Sequence, residues 1–287
     1  MKRAHAVLEA AALALSAGAA HALADDRMEP LWEAGAGLTV LDFPDYRGSS
    51  QSRAYVLPIP YSVYRGRYLR QDRHGLRGVF MESDRAELNM SVGASLPVDS
   101  SRNRAREGMP DLKGSVEFGP SLDVKLWESA DAHSRIELRM PVRAAMTIES
   151  HPRFIGGQFS PHVNLDVADP LGHDGWNLGM LAGPVFTDGR YNRYFYEVPA
   201  AYAAPGRPAY TTGGGYGGMQ FIVALSKRYP KFWVGGFARY DTLAGATFAA
   251  SPLVTSRRYF ATGVAIAWVL GESAVRVPVN ALGEPKK

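Results

Sequence analysis

The amino-acid sequence predicts an all-β protein, a transmembrane antiparallel up-and-down β-barrel of about twelve strands within a range of roughly ten to fourteen. Three observations carry this prediction. Apolar and polar residues alternate with a period of two along most of the chain. The longest alternating runs exceed the ~9–11 residues that a tilted strand needs to cross a bilayer. Short and long connections between the runs resemble those of outer-membrane barrels, in which strand numbers are usually even.

Residues 1–24 are predicted to be a cleaved secretory signal peptide. Lys2 and Arg3 form a positive start, an Ala/Leu-rich run follows, and an A-x-A cleavage pattern ends at Ala24. An amphipathic N-terminal helix is the alternative, which Glu9 within the apolar run favours. The chain has no cysteine, which excludes disulfides, a lipoprotein anchor and thiolate chemistry. We expect export to the outer membrane.

Residues 25–272 are predicted to form the barrel, and residues 273–287 a C-terminal tail or a further short strand. The clearest run covers residues 135–149, in which apolar side chains occupy one face and charged ones occupy much of the other. A soluble sheet can show the same alternation, but its strands average only ~5–6 residues. Similar alternation occurs within residues 86–96, 116–126, 176–186, 219–225 and 260–270.

Charged side chains on the faces opposite to the apolar ones are predicted to line the lumen. In an open pore they would set the ion preference. The alternative, which we favour, is a filled interior in which opposite charges pair and hold the barrel rigid. The candidate lumen charges are Glu117, Asp123, Lys125, Arg135, Glu137, Arg139, Arg143, Glu149, Arg239 and Asp241.

The long connection over residues 99–113 is predicted to be an ordered basic loop, because Gly108-Met109-Pro110 favours a defined turn. It either contacts anionic lipopolysaccharide or enters the lumen as a constriction. The alternative is a solvated loop with weak internal ion pairs. Its candidate residues are Arg102, Arg104, Arg106, Glu107 and Asp111.

A second basic run alternates Arg65, Arg67, Arg70 and Arg73 with aromatic and apolar residues. It is interpreted as a barrel rim with snorkelling arginines, and less readily as a phosphate-binding surface.

No motif indicates catalysis, a cofactor or a metal. The formal net charge of +4 is low for a nucleic-acid-binding protein, and the basic residues are interspersed with acidic ones. The histidines lack ligand spacing, and no G-x-S-x-G nucleophile motif occurs. The glycine run at residues 213–218 lacks the Lys-Ser/Thr of a phosphate-binding loop. We expect no catalytic, cofactor-binding or metal-binding residues and no nucleic-acid partner.

Several short motifs together carry a family resemblance, although none is decisive alone. They lie at Trp32–Gly37, Phe43–Ser49, Pro58–Tyr61, Arg104–Leu112, Phe118–Leu122, Trp176–Gly179, Ala182–Pro184, Arg239–Ala246, Ser251–Leu253 and Ala267–Leu270. With these motifs in this order, the chain resembles the MipA/OmpV family of outer-membrane proteins over nearly all of its mature length.

The resemblance implies a non-enzymatic scaffold in peptidoglycan remodelling, which bridges a lytic murein transglycosylase and a penicillin-binding murein synthase. Its other expected partners are outer-membrane lipid and lipopolysaccharide. The alternatives are a porin-like solute channel or adhesin with a charged lumen. An outer-membrane hydrolase is a third possibility, for which no motif brings the necessary residues together.

Overall fold

A computed structural model describes residues 27–66, 69–72 and 75–286, with side chains described outside residues 67–77. The predicted signal peptide and most of the second basic run lie outside this description. The strands are β1 Arg27–Pro30, β2 Trp32–Pro44, β3 Ser52–Arg65, β4 Leu69–Asp72, β5 Gly75–Glu82, β6 Ala86–Ser95, β7 Ser115–Glu128, β8 Ser134–Thr147, β9 Phe154–Phe159, β10 His162–Ala168, β11 Trp176–Thr187, β12 Gly215–Arg228, β13 Phe232–Thr242, β14 Arg258–Glu272 and β15 Arg276–Val279. One α-helix, α1, covers Gly189–Tyr196.

Strands β2 to β14 form one antiparallel sheet of 13 strands that returns on itself. Strand β14 pairs with β2, and β10 pairs with both β8 and β11. Strands β9 and β10 lie end to end between β8 and β11, so the ring has twelve positions. The break between them contains Pro161, which has no backbone N–H to donate. The predicted up-and-down fold with about twelve strands is therefore confirmed.

The sheet is apolar on its outer face and polar inside, the reverse of a water-soluble protein. Outward side chains such as Phe260 and Val264 are 68% and 63% exposed, whereas the inward Asn89 and Asp166 are each 2% exposed. Such a surface suits hydrocarbon rather than water. Three exposed tryptophans, Trp32, Trp127 and Trp268, lie near one end of the barrel, where amphipathic rings suit a membrane–water interface. No helix within the described residues has the length and apolar character needed to cross a membrane.

The two ends of the barrel differ in their connections. At the end we call the short-turn end, residues 83–85, 129–133 and 229–231 join strands tightly. At the opposite end, the long-loop end, residues 96–114 and 188–214 form extended connections. The predicted difference in connection length between the two ends of the barrel is therefore present.

The largest cluster of buried apolar residues lies at the long-loop end, over the mouth of the barrel rather than within it. We call this cluster the cap. It comprises Tyr46, Val98, Met109, Leu112, Ala145, Ile155, Tyr191, Phe195, Tyr196, Val198, Leu243, Ala246, Phe248 and Leu253. Most of these residues come from the connections at that end, and Ala145 of β8 and Ile155 of β9 join them from the strands, so the loops share one core.

The chain ends form a second unit at the short-turn end. Strands β1 and β15 pair in a separate two-stranded sheet, in which Arg27 lies opposite Val279. The residues that follow fold back, since Lys286 N–H donates to the carbonyl of Pro278 at 2.9 Å. Leu282 is buried, and Glu284 pairs with Arg135 of the barrel. The C-terminal residues are thus ordered against the short-turn mouth.

Candidate functional site

Arg106 holds the basic loop to the cap. Its guanidinium donates to the carbonyl of Phe195 at 3.1 Å, the carbonyl of Pro110 at 3.2 Å and the hydroxyl of Ser100 at 3.2 Å. It also lies 5.8 Å from the centre of the Tyr46 ring. Burial lowers the pKa of Arg106. Arg106 is only 3% exposed, so this candidate from the sequence holds the loop in place from inside and does not present its charge to solvent.

The other loop candidates lie on the outer surface. Arg102, Arg104 and Glu107 are exposed, and Arg102 approaches Asp99 at 3.3 Å. Asp111 accepts the backbone N–H of Ser100 at 2.9 Å and so closes the loop. None of these side chains lines the lumen cavities described below. The loop instead contributes Met109 and Leu112 to the cap at the long-loop end.

Helix α1 seats the aromatic residues of the cap. Asp188 begins the helix by accepting the backbone N–H of Tyr191 at 2.7 Å. Gly156 has φ +127°, and a Cβ there would lie 2.3 Å from the Tyr191 nitrogen, so only glycine permits this approach. Burial raises the pKa of Tyr191 and of Tyr196. The ring of Tyr196 stacks on Phe248 at a centroid distance of 3.7 Å.

Asp241 gathers three donors directly beneath the cap. It is fully buried, and it accepts Arg239 Nε at 2.7 Å, Arg47 Nε at 2.8 Å and the Tyr259 hydroxyl at 2.5 Å. Tyr196 in turn donates to the carbonyl of Arg47 at 2.9 Å. Charge-assisted hydrogen bonds of this kind are strong in a dry environment. The network therefore joins the cap to the barrel wall.

A ladder of opposite charges crosses the middle of the lumen. Asp123 of β7 lies directly across from Arg139 of β8, and Asp166 of β10 lies across from Arg135. Arg139 approaches Glu137 at 2.6 Å, Asp166 at 3.6 Å and Asp123 at 3.8 Å. Side chains on one face of paired strands meet in this way. These predicted lumen residues are brought together as ion pairs.

Lys125 and Arg135 lie at the short-turn mouth. Arg135 approaches Glu128 and Glu137, each at 3.2 Å, and pairs with Glu284 of the C-terminal residues. Lys125 approaches Glu128 at 2.8 Å. The alternating charges of β7 and β8 thus extend from the middle of the lumen to this opening.

Two further candidates lie near the long-loop end of the lumen, and a third lies outside it. Glu117 accepts the hydroxyl of Tyr191 at 2.9 Å, and Arg143 donates to the Ser91 hydroxyl at 2.7 and 2.9 Å. Glu149 is not in the lumen, because β8 ends at Thr147. It instead approaches Arg153 at 2.8 Å in the following turn. The prediction of a lumen position for Glu149 is wrong, because the strand ends before this residue although the alternation in the sequence continues to it.

Sequence reasoning missed a buried carboxylate at the short-turn end. Glu33 is 2% exposed and accepts from Arg228 at 2.7 Å, from Arg65 at 3.1 Å and from the Tyr61 hydroxyl at 3.3 Å. Arg65 therefore points inward and is not part of an exposed rim. The signal was present, since Glu33 shares the inward face of β2 with Thr39.

Cavities follow one another along the lumen. One of about 260 Å³ lies in the middle of the barrel, with asparagine and serine side chains beside the charge ladder. Another of about 460 Å³ lies between it and the cap. Arg143 lines both, so it stands where they meet. Within the described part of the chain, no group of three His, Asp or Glu side chains is placed to hold a metal ion.

Comparison with protein families gives one assignment. The family model described as MltA-interacting protein MipA matches residues 35–270. The chain belongs to the MipA family. This is an outer-membrane-associated family with an MltA-interacting role. The membership that the sequence motifs indicated is therefore confirmed. No curated protein matches the chain. The matched region contains most of the twelve-position ring, whereas β1 and β15 lie outside it.

Proposed function

We propose that this MipA-family protein is a non-enzymatic scaffold in the outer membrane, which binds a lytic murein transglycosylase of the MltA kind at its short-turn end. The observation that carries this proposal is the cap, which covers the long-loop mouth with a packed apolar core. A lumen that is covered at one end and crossed by a ladder of paired charges is poorly suited to transport. Function then rests with the surfaces that the barrel presents.

The short turns of outer-membrane barrels face the periplasm, where murein enzymes act. If residues 1–24 direct export and the short turns of this barrel also face the periplasm, β1 and β15 lie on the periplasmic side. Arg276 of β15 is exposed there, and within the described residues its ion-pair partner is Glu272, at 2.8 Å. The ordered sheet of the two chain ends is a fixed surface on which an enzyme can dock, since little conformational entropy is lost on binding.

We further propose that the same scaffold bridges the transglycosylase and a penicillin-binding murein synthase. The outer face of the sheet would contact lipid, and the exposed Arg102 and Arg104 of the basic loop would contact lipopolysaccharide phosphates. Arginine recognises phosphate through paired hydrogen bonds. These contacts fix the barrel in the membrane and leave its periplasmic end free for partners.

Binding of a soluble MltA-type transglycosylase to the barrel in lipid nanodiscs tests the proposal. We expect Arg276→Glu to weaken binding about tenfold or more, because reversing a charge at an interface introduces repulsion. The matched control is Arg102→Glu, which reverses an exposed charge at the opposite end and should leave binding unchanged. Equal binding by both variants, or none by the unmodified protein, would contradict docking at the short-turn end. Addition of the synthase should give a ternary complex if the barrel bridges the two enzymes.

The charged lumen favours one second candidate, a porin-like channel. Conductance of the purified protein in planar bilayers separates the two functions. The scaffold predicts a closed barrel without stable current steps. Open steps whose ion selectivity changes in Arg139→Glu would favour the channel, because this residue lies in the lumen charge ladder.

A further inference from the structure

The cavity beneath the cap has the size and the walls of a small-molecule site. Its volume is about 460 Å³, which lies within the ~300–1,000 Å³ typical of ligand pockets. A bare inorganic anion would fill little of this space. The aromatic side chains that line it include Tyr46, Tyr191, Phe195 and Tyr196. These walls suit a flat apolar body, because aromatic rings pack favourably against one another.

The charges around the cavity do not balance. Three guanidinium groups line it, those of Arg47, Arg143 and Arg239. Two carboxylates face them, Glu117 in the wall and Asp241, which binds Arg47 and Arg239. The surplus is one positive charge. A buried charge without a counterion is costly in a low-dielectric environment, so the cavity favours a single negative charge.

Asp45 does not supply the missing charge. Although it lines the cavity, its carboxylate is engaged by Arg53 at 2.8 Å and by the side-chain amide of Asn103 at 2.7 Å. The Asp45–Arg53 pair is neutral as a whole. The surplus positive charge therefore remains after every carboxylate in the cavity wall is counted.

Two of the arginines have unused capacity to bind an anion. Arg47 lines the cavity, and within the described residues its guanidinium donates only through Nε, to Asp241 and Tyr259, which leaves its Nη nitrogens unused. Arg143 donates to the Ser91 hydroxyl but makes no ion pair within the described residues. Elsewhere in the lumen, Arg135 and Arg139 approach at least two carboxylates each. Another buried guanidinium nitrogen without a partner is Arg65 Nε, but it lies at the Glu33 cluster, where Arg65 already binds Glu33. Among the arginines that line this cavity, Arg47 and Arg143 are therefore the ones with donors to spare.

We propose that this cavity binds a small aromatic carboxylate. Its carboxylate is held by the guanidinium groups of Arg47 and Arg143, and its ring packs against the cap aromatics. The ligand supplies the negative charge that the cavity lacks and fills the space that an inorganic anion would leave. This binding does not depend on whether the protein also binds a transglycosylase, so each proposal can fail without the other.

Fluorine NMR with 4-fluorobenzoate as the probe tests the proposal, using the full mature chain in lipid nanodiscs and empty nanodiscs as the blank. The neutral analogue is 4-fluorobenzamide. We expect the acid to bind and Arg143→Gln to weaken it about tenfold or more, because a charge-assisted hydrogen bond is lost. The matched control is Arg228→Gln, at the Glu33 cluster near the opposite end, which should bind the acid as the unmodified protein does.

A second variant removes space instead of charge. A Cβ at Gly93 would make only ordinary contacts, 3.6 to 3.8 Å from Glu117 and Arg143. Gly93→Leu should therefore fold and exclude the probe. Acid binding that is weakened in both cavity variants and retained in the control supports the site. Equal binding of acid and amide, or binding unchanged in both cavity variants, overturns it. No acid binding at about 10 mM, tenfold above a Kd of ~1 mM, overturns it as well.

Discussion

Removal of the Phe248 side chain should open the cap without unfolding the barrel. Phe248 is 1% exposed, and its ring lies parallel to that of Tyr196, with an interplanar angle of 4°. Replacing a buried phenylalanine by alanine costs about 3–5 kcal/mol. Since each ~1.4 kcal/mol is a factor of ten, the open state of the cap should become roughly a hundred to several thousand times more populated. The barrel wall keeps its hydrogen bonds, because none of them involves this side chain.

Hydrogen exchange in nanodiscs measures this opening through the backbone pair of Val98 and Leu112. Their N–H groups donate to each other's carbonyls at 2.8 and 3.1 Å, and both should lose protection in Phe248→Ala. The control is Phe260→Ala, which removes an outward ring that is 68% exposed, and cap protection should not change. Unchanged protection of Val98 and Leu112 in a folded Phe248→Ala barrel would refute the role of the cap as one cooperative unit.

Three further outcomes follow from the buried charges and hydroxyls. Asp241→Ala should lower the free energy of unfolding by about 3–5 kcal/mol. The measurement is the fraction of folded barrel, seen as heat-modifiable migration on a gel, at increasing urea concentrations. Asp42→Ala, which removes an exposed outward carboxylate, should leave the free energy of unfolding unchanged. Burial raises the pKa of Tyr46 from 10.0 to about 12. Its contribution to cap stability should therefore be complete below pH 10 and lost as pH rises to about 12. The measurements are ultraviolet absorbance of the phenolate and hydrogen exchange of the cap, and titration of Tyr46 at its ordinary pKa would contradict the prediction. Glu284→Gln should speed proteolysis of the C-terminal residues about tenfold, because a charged hydrogen bond is lost. Glu272→Gln, which changes an exposed ion pair, should have little effect on this rate. Equal rates in the two variants would contradict the anchoring of this segment.

The barrel strands could be predicted because each one carries its own signal. A strand with lipid on one face and lumen on the other must alternate, so the pattern in residues 135–147 is sufficient to identify β8. The break between β9 and β10 at Pro161 is a local backbone effect within such a strand. Alternation also placed most charged candidates on the inward face. It failed at Glu149, where the pattern in the sequence outlasts the strand.

The cap could not be predicted, because its residues have no common period. Tyr46, Met109 and Phe248 come from separate loops and meet only when the ring of strands closes. The same is true of Glu33 and Arg228, which are separated by 195 positions in the chain. Each residue type is ordinary for its loop or strand. Which of these residues meet depends on which strand ends become neighbours in the closed ring, and the alternation within a single strand does not specify this.

The pairing of β1 with β15 makes the protein nearly circular. Arg27 and Val279 are opposite partners in one small sheet, so the first and last strands of the described chain lie side by side. A short peptide could join them without moving any barrel strand, and the chain could then be opened at an exposed loop tip such as residues 205–206. The order in which the strands are synthesised is therefore separable from the order in which they surround the lumen. A permuted gene would direct a different strand to the membrane first and still specify the same ring.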